Sequence, residues 1–369
     1  MLGILLYCRP GFENDCANEI QDKASELEMF GFIKTVRNSG YVFYQCYNPD
    51  DVEALGNAIV YKQLIFARQM IIVKAFVDDL PLEDRISPIL EVTRDMPMGG
   101  DIYVETPEGD ETKPLLTFCR KFTVPLRQKL KKQNSLTTKD NPTRIYYHLC
   151  FLDNQSAYIG YSIPGNRSEL YMGIARLRFP SEAPSRSTLK LDEAFQVFLT
   201  PEEQETRLTS GMRAVDLGAC PGGWTYQLVR RGMFVSCVDN GAMAESLMES
   251  GQITHYMEDG FKFEPERKNI DWLVCDMIEK PKRVAQLMAK WLVEGWCKEA
   301  IFNLKLPMKK RYQEAAQDLK ILTDMLEEAE LTYQIQAKHL YHDREEITVH
   351  VSLIGTVWGN VINSQTKKY

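Results

Sequence analysis

Short apolar runs alternate with amphipathic stretches from the start of the chain. GILLYC reads as a strand, CANEIQDKASEL as a helix, and GFIKTVR and GYVFYQCY as two more strands. These predict a small α+β unit over residues 1–75. The strand-like LIFARQMIIVKAFVDD leads into a second unit over 76–165. It continues with a helical stretch near EDRISPILEVTRD, the strand DIYVETP, the basic helix PLLTFCRKFTVPLRQKLKK, and two strands in RIYYHLCFLD and SAYIGYSI. From Pro164-Gly165-Asn166 to FPSEAPSRS the periodicity fades and prolines and serines gather, which marks a linker over 166–185. Beyond Gly211 strands and helices alternate. The strand candidates are RAVDLGA, MFVSCVD, ITHYMED, IDWLVCDM, EAIFNLKL, LTYQIQAK and ITVHVSLI. That order predicts a doubly wound α/β domain over 186–369, whose ligands bind beyond the carboxyl ends of the parallel strands.

The length of 369 residues suits two or three domains of ordinary size, and 44% hydrophobic with 26% charged residues is a globular composition. No run approaches the roughly 18 apolar residues of a membrane span. The opening MLGILLYCRPGFE lacks the basic start and small-residue cleavage pattern of a signal peptide. The nine cysteines form no CxxC pair, which disfavours metal cages and disulfide frameworks and fits a reducing cytoplasm. A net charge of -7 argues against a protein that coats nucleic acid through bulk charge. Its distribution is uneven: between Glu111 and Lys139 the one acid Glu111 faces eight basic residues. They include Arg120, Lys121, Arg127, Lys129, Lys131 and Lys132, either a phosphate-tracking helix or an ordinary solvated face.

The stretch DLGACPGGWT follows the first strand of the α/β pattern. Its glycines let the main chain turn tightly and lie against a ligand that a Cβ would block. The spacing Gly218-x-x-x-Gly222-Gly223 is not G-x-G-x-x-G, and no Walker lysine follows, so dinucleotides and nucleoside triphosphates are disfavoured. A smaller adenosine ligand fits. Asp239 ends the next strand, where a carboxylate can accept from both ribose hydroxyls, and Asp259 in MEDGF can take an adenine amino group. The alternative is that each aspartate only caps the following helix.

DLGACPGGWTYQLV, followed by VDNG, EDGF and CDM, resembles the class I S-adenosylmethionine methyltransferases that modify ribose 2'-hydroxyls. The resemblance implies a Rossmann-like seven-stranded sheet and a cofactor set of Ser187, Asp216, Gly218, Cys220, Pro221, Gly222, Gly223, Trp224, Asp239, Asp259 and Asp276. It also implies a Lys-Asp-Lys-Glu catalytic group, matched here by Lys190, Asp276, Lys305 and Glu346; no metal ligands are assigned, and whether a magnesium ion helps stays open. Partial burial and a second lysine would each lower the Lys305 pKa from about 10.4 and favour a neutral base, whereas Asp276 and Glu346 pull the other way. Which lysine is neutral stays open, as does a solvent-facing role for Lys305. Adjacent Glu345 competes for the place given to Glu346. The fourth strand leads into DMIEKP, without the Asn/Asp-Pro-Pro-aromatic stretch of amino-group methyltransferases. Cys275 follows Val274 and not a proline, which separates the chain from 5-methylcytosine enzymes. Cys275 and Cys220 are better read as packing or cofactor-loop residues.

LLYCRPGFEND, FARQ, LLTFCRKFTVPLRQKL, YMGIARLRFPSEAPSRSTLKL and NLKLPMKKRY together resemble the RlmM family of 23S ribosomal RNA cytidine 2'-O-methyltransferases over nearly the whole chain. That implies a ferredoxin-like unit, a THUMP RNA-binding unit and a catalytic domain, in a cytoplasmic monomer that acts on ribosomal RNA or its precursor. Lys309, Lys310 and Arg311, beside the proposed base, join the basic helix as candidate RNA contacts. Two other classes remain: a methyltransferase of small molecules or proteins, and an RNA-binding assembly protein with a vestigial cofactor fold. The end of the chain, VWGNVINSQTKKY, carries no motif.

Overall fold

The computed structural model of the protein describes residues 2–355; the motif-free stretch 357–369 lies outside them. The chain divides into two compact units, Met1–Ile174 and Ala175–Tyr369.

In the first unit the strands are β1 (Gly3–Tyr7), β2 (Gly31–Thr35), β3 (Tyr41–Cys46), β4 (Gln69–Val77), β5 (Asp101–Glu105), β6 (Tyr146–Phe151) and β7 (Ala157–Ser162). The helices are α1 (Glu13–Glu26), α2 (Asp51–Ala58), α3 (Ile86–Arg94) and α4 (Leu115–Lys132). One sheet runs β2-β3-β1-β4-β7-β6-β5, antiparallel except for the β5–β6 pair. The boundary expected at residue 75 therefore falls inside β4, which pairs with β1 on one side and β7 on the other. Alternating apolar positions meet across the strands, with Leu5 opposite both Phe43 and Ile71, in a core with Tyr7, Val73 and Cys150. The buried Glu105 carboxylate accepts from Tyr7 Oη at 2.9 Å and from the Met172 amide at 2.7 Å, and it lies 2.9 Å from His148 Nδ1. A buried carboxylate is tolerated when its lone pairs are met in this way.

The second unit holds the seven expected strands: β8 (Arg213–Leu217), β9 (Phe234–Val238), β10 (Ile253–Tyr256), β11 (Ile270–Cys275), β12 (Cys297–Lys305), β13 (Tyr333–Lys338) and β14 (Glu346–Leu353). Its helices are α5 (Thr188–Phe198), α6 (Pro201–Arg207), α7 (Gly223–Val229), α8 (Glu245–Met248), α9 (Pro281–Val293) and α10 (Arg311–Glu328). The start of α6 shows how local sequence sets an end. Thr200 accepts from the Glu203 amide at 3.2 Å, the Glu203 carboxylate accepts from the Thr200 amide at 2.8 Å, and Pro201 needs no partner at the first position. The sheet order is β10-β9-β8-β11-β12-β14-β13. β8 to β12 are parallel, and β14 enters antiparallel between β12 and β13. Chain order reverses between β8 and β11, and that switch point opens a crevice at their carboxyl ends. Because β14 runs backwards, its first residue meets the last residue of β12: Lys305 pairs with Glu346, and Asn303 with Thr348.

Candidate active site

The glycine-rich loop leaves β8 at the switch point. Gly218 and Gly222 have φ of 79° and 115°, in the left-handed region that disfavours side chains. A Cβ on Gly218 would lie 2.6 Å from Met277 Cγ, so the loop can hug the end of β11 only with glycine there. The Asp239 carboxylate fastens the loop, accepting from the Cys220 amide at 3.0 Å and the Gly241 amide at 2.8 Å. Beneath lies a cavity of about 450 Å³ lined by Gly218, Cys220, Val238, Asp239, Asn240, Glu258, Asp259, Gly260, Phe261, Asp276, Met277, Ile278 and Glu279. Its size suits a nucleoside-containing ligand. The carboxylates of Asp239, Glu258 and Asp259 give its lining hydrogen-bond acceptors of the kind that hydroxyl and amino groups use.

Asp276, at the carboxyl end of β11, borders that cavity and joins a second cluster. Lys190 Nζ lies 3.1 Å from Asp276 Oδ2 and 2.6 Å from Glu346 Oε1, and Lys305 Nζ lies 3.0 Å from Asp276 Oδ1 and contacts Glu346 Oε2. Two ammonium groups and two carboxylates thus alternate around a ring with no net charge. The ring is shielded: Lys190 and Asp276 are about 15% exposed, Glu346 6% and Lys305 24%. Burial lowers the Lys305 pKa, but Asp276 and Glu346 outweigh it and leave it above the ordinary value. This corrects the expectation of a lowered Lys305 pKa, because the second lysine shares the same two carboxylates and so does not confront Lys305 alone. For Glu346 burial acts upward, and Lys190 and Lys305 together bring it below the ordinary carboxylate value.

Register decides between the two glutamates. Glu346 faces the lysines, whereas Glu345 pairs with Arg311 at 2.7 Å. Of the expected cofactor residues, Gly218, Cys220, Asp239, Asp259 and Asp276 line the cavity, while Ser187, Asp216, Pro221, Gly222, Gly223 and Trp224 are not part of its lining. Asp216 is buried and accepts from Thr225 Oγ1 at 2.7 Å, tying β8 to α7; burial drives its pKa up to about 7 against that bond. A Cβ on Gly223 would strike Ser187 Oγ, so these two fix the approach of α5 to α7. Burial pushes the Cys275 thiol up to about 12 and also raises Cys220, which weighs against a cysteine nucleophile. All nine cysteines are free.

Residues 1–71 match the RlmM ferredoxin-like domain, 84–163 the N-terminal domain of ribosomal RNA large subunit methyltransferase M, and 183–311 the FtsJ-like methyltransferases. The ribosomal RNA large subunit methyltransferase M of Psychromonas ingrahamii is 77% identical over 364 residues, 99% of this chain and 100% of that protein. Proteins of the same description from Vibrio vulnificus and Edwardsiella ictaluri are 58% and 57% identical, covering 97% of this chain and 99% and 95% of theirs. The chain belongs to the ribosomal RNA large subunit methyltransferase M family. It is an enzyme, and its cofactor is S-adenosylmethionine.

The basic residues picked out for this family member divide into those exposed to solvent and those held by a hydrogen bond or ion pair. Arg120, Lys121, Lys129 and Lys132 are exposed on α4, and Lys309 and Lys310 are exposed beyond β12. Arg127 instead forms a fork with Asp101 at 2.6 and 3.1 Å, and Lys131 donates to the Thr138 carbonyl at 2.7 Å. Arg127 therefore anchors α4 to β5. Among the described residues no helix is long and apolar enough to cross a membrane, and no group of acidic, histidine or cysteine side chains is arranged to hold a metal ion. Sequence reasoning missed the cavity residues Val238, Asn240, Glu258, Gly260, Phe261, Met277, Ile278 and Glu279. It also missed Asn303, which donates from Nδ2 to Asp276 Oδ1 at 3.0 Å. The signal for Asn303 was present: it lies two residues before Lys305, hence on the same face of β12.

Proposed function

We propose that this enzyme methylates the ribose 2'-hydroxyl of one cytidine in 23S ribosomal RNA, with a lysine of the Lys190–Asp276–Lys305–Glu346 ring as general base. The observation that carries this reading is that Asp276 belongs at once to the cofactor-sized cavity and to the ring, so a hydroxyl held by the ring lies next to whatever fills the cavity. S-adenosylmethionine supplies the methyl group from a sulfonium centre. Asp239 and Asp259 hold its adenosine part, and the loop Gly218–Trp224, braced by Ser187 and Asp216, gives the main-chain wall. Asp276 and Glu346 fix the two ammonium groups and leave one lysine Nζ aimed at the ribose. Lys305, on the more exposed corner, sheds its proton to solvent and then takes the proton of the 2'-hydroxyl. Alignment of the two reactants supplies about 7 to 11 kcal/mol of the barrier, so the rigidity of the ring matters as much as its basicity.

The first unit contributes RNA binding: a ferredoxin-like part over 1–75, a THUMP part over 76–165, and a linker over 166–185 leading to the catalytic domain over 186–369. Arg120, Lys121, Lys129 and Lys132 would track phosphates, as would Lys309 and Lys310, and the enzyme works as a cytoplasmic monomer on the RNA or its precursor. The test is transfer of labelled methyl from S-adenosylmethionine to unmodified large-subunit RNA, with the product mapped by alkaline hydrolysis. Protection of one cytidine linkage, lost with Lys305→Ala, is expected. Methyl on a base, or an unaltered rate in Lys305→Ala, would overturn the reading.

A further inference from the structure

Behind Asp276 lies a line of buried polar side chains that the ring alone does not require. Asn303, Thr348 and Asp343 are each fully buried. Asn303 Nδ2 donates to Asp276 Oδ1 at 3.0 Å, Thr348 Oγ1 is 2.8 Å from Asn303 Oδ1, and the same Oγ1 is 3.0 and 2.9 Å from Asp343 Oδ1 and Oδ2. The Leu340 amide donates to Asp343 Oδ2 at 2.9 Å.

Counting hydrogens fixes the direction of this line. Asp276 already receives both lysines, so it is an acceptor and Asn303 must turn its NH2 toward it. Asn303 then presents its carbonyl oxygen to Thr348. Thr348 has one hydroxyl hydrogen but faces oxygen on two sides, Asn303 Oδ1 and the Asp343 carboxyl. Both contacts are attractive only if one hydrogen comes from Asp343.

We propose that Asp343, Thr348 and Asn303 are positioning residues for methyl transfer: a buried relay in which a neutral Asp343 carboxyl donates to Thr348, Thr348 to Asn303, and Asn303 to Asp276. The proposal rests on the reading of the ring given above. Burial, followed by the nearby Glu346 and Glu193 carboxylates, raises the Asp343 pKa well above the ordinary value, against the pull of Lys190, in keeping with a neutral group. The β13–β14 loop that carries Asp343 is itself held to α5, the helix of Lys190. Glu193 of that helix accepts from the Tyr341 and His342 amides, both at 2.9 Å. The relay thus sets the orientation of Asp276 from a loop already fixed to the helix that supplies one lysine. Without it, the Asp276 carboxylate keeps its two lysine contacts, but the Asn303 donor on Oδ1 is no longer held in place.

The test compares full-length Thr348→Val, Thr348→Ser, Asp343→Asn and Asp276→Asn in single-turnover methyl transfer to unmodified large-subunit RNA, with cofactor and RNA affinity measured alongside. Thr348→Val keeps the shape and removes the hydroxyl; the expected result is a turnover rate lower by about 10- to 100-fold with both affinities within about threefold of wild type. Thr348→Ser restores the hydroxyl and is expected to recover most of that rate. Asp343→Asn supplies a neutral donor of the same shape and is expected to retain most of it as well. A Thr348→Val rate equal to wild type, or a loss shared equally by Thr348→Ser, would overturn the relay. So would an Asp343→Asn rate as low as that of Thr348→Val, since it would mean that Asp343 accepts as a carboxylate. Should Thr348→Val fail to fold, Asp343→Asn decides alone: a rate within about threefold of wild type supports the relay, and a loss of about 10-fold or more overturns it. An undiminished rate in Asp276→Asn would remove the reading of the ring itself, a result distinct from failure of the relay.

Discussion

Replacing Glu346 by glutamine removes one of the two carboxylates shared by Lys190 and Lys305 while keeping the shape of the side chain. At 2.6 Å and an effective dielectric of about 20, the Glu346–Lys190 attraction is about 6 kcal/mol, and Glu346 also contacts Lys305. Recovered desolvation and the remaining amide oxygen offset much of that, and breaking a buried pair of this kind costs about 3 to 5 kcal/mol. For a unit of this size the melting temperature then falls by about 10 °C. The sign with pH follows from both partners. Glu346 lies below its ordinary 4.5, so its contribution is present above that pH and fades as pH falls through the folded value. Lys305 lies above its ordinary 10.5, so its contribution is present below that pH and fades as pH rises through the folded value. The stability gap between wild type and Glu346→Gln is therefore widest between these limits and closes at both ends. Catalysis should respond differently. With one carboxylate gone the Lys305 pKa drops, the neutral base forms at lower pH, and the rising limb of the rate–pH profile moves toward acid even as the maximum rate falls. Thermal melting and single-turnover rates across pH check both effects. A rising limb that stays in place, or moves toward alkali, would refute Lys305 as the titrating base.

Two further outcomes follow from the same geometry. Asp239→Ala removes a hydroxyl acceptor and frees the Cys220 and Gly241 amides, so S-adenosylmethionine affinity measured calorimetrically should weaken by about 10- to 100-fold, whereas unchanged affinity would exclude the ribose contact. Reversing the charge of Lys129 and Lys132 should weaken RNA binding and flatten its salt dependence, by about 0.7 in slope for each phosphate that is no longer neutralised. Arg127→Glu should instead destabilise the first unit, because Arg127 is held by Asp101.

Most strands of the second unit were legible because they are short apolar runs between breakers, and β8 to β12 follow one another as alternation predicts. The entry of β14 between β12 and β13 was not, since nothing in the run ITVHVSLI says which neighbour it takes. The choice of Glu346 over Glu345 depended on that pairing, as did the roles of Asn303 and Thr348, a polar cross-strand pair inside apolar strands. The direction of the Lys305 pKa shift also lay outside the sequence, because it depends on two carboxylates from distant segments meeting one amine within hydrogen-bond range. In the first unit, element order was readable, but the continuity of the sheet through β4 needed strand partners that periodicity does not name.

The late, reversed entry of β14 means that the Lys190–Asp276–Lys305–Glu346 ring closes only with the last of the described strands. During synthesis from the amino terminus, the cavity residues from Gly218 to Glu279 emerge before Lys305, and Glu346 emerges after both. A chain that stops before Asp343 holds every residue of the cavity lining, yet lacks one carboxylate of the ring and the whole Asp343 line. If the ring performs the proton transfer proposed above, methyl transfer therefore needs the chain at least through Glu346.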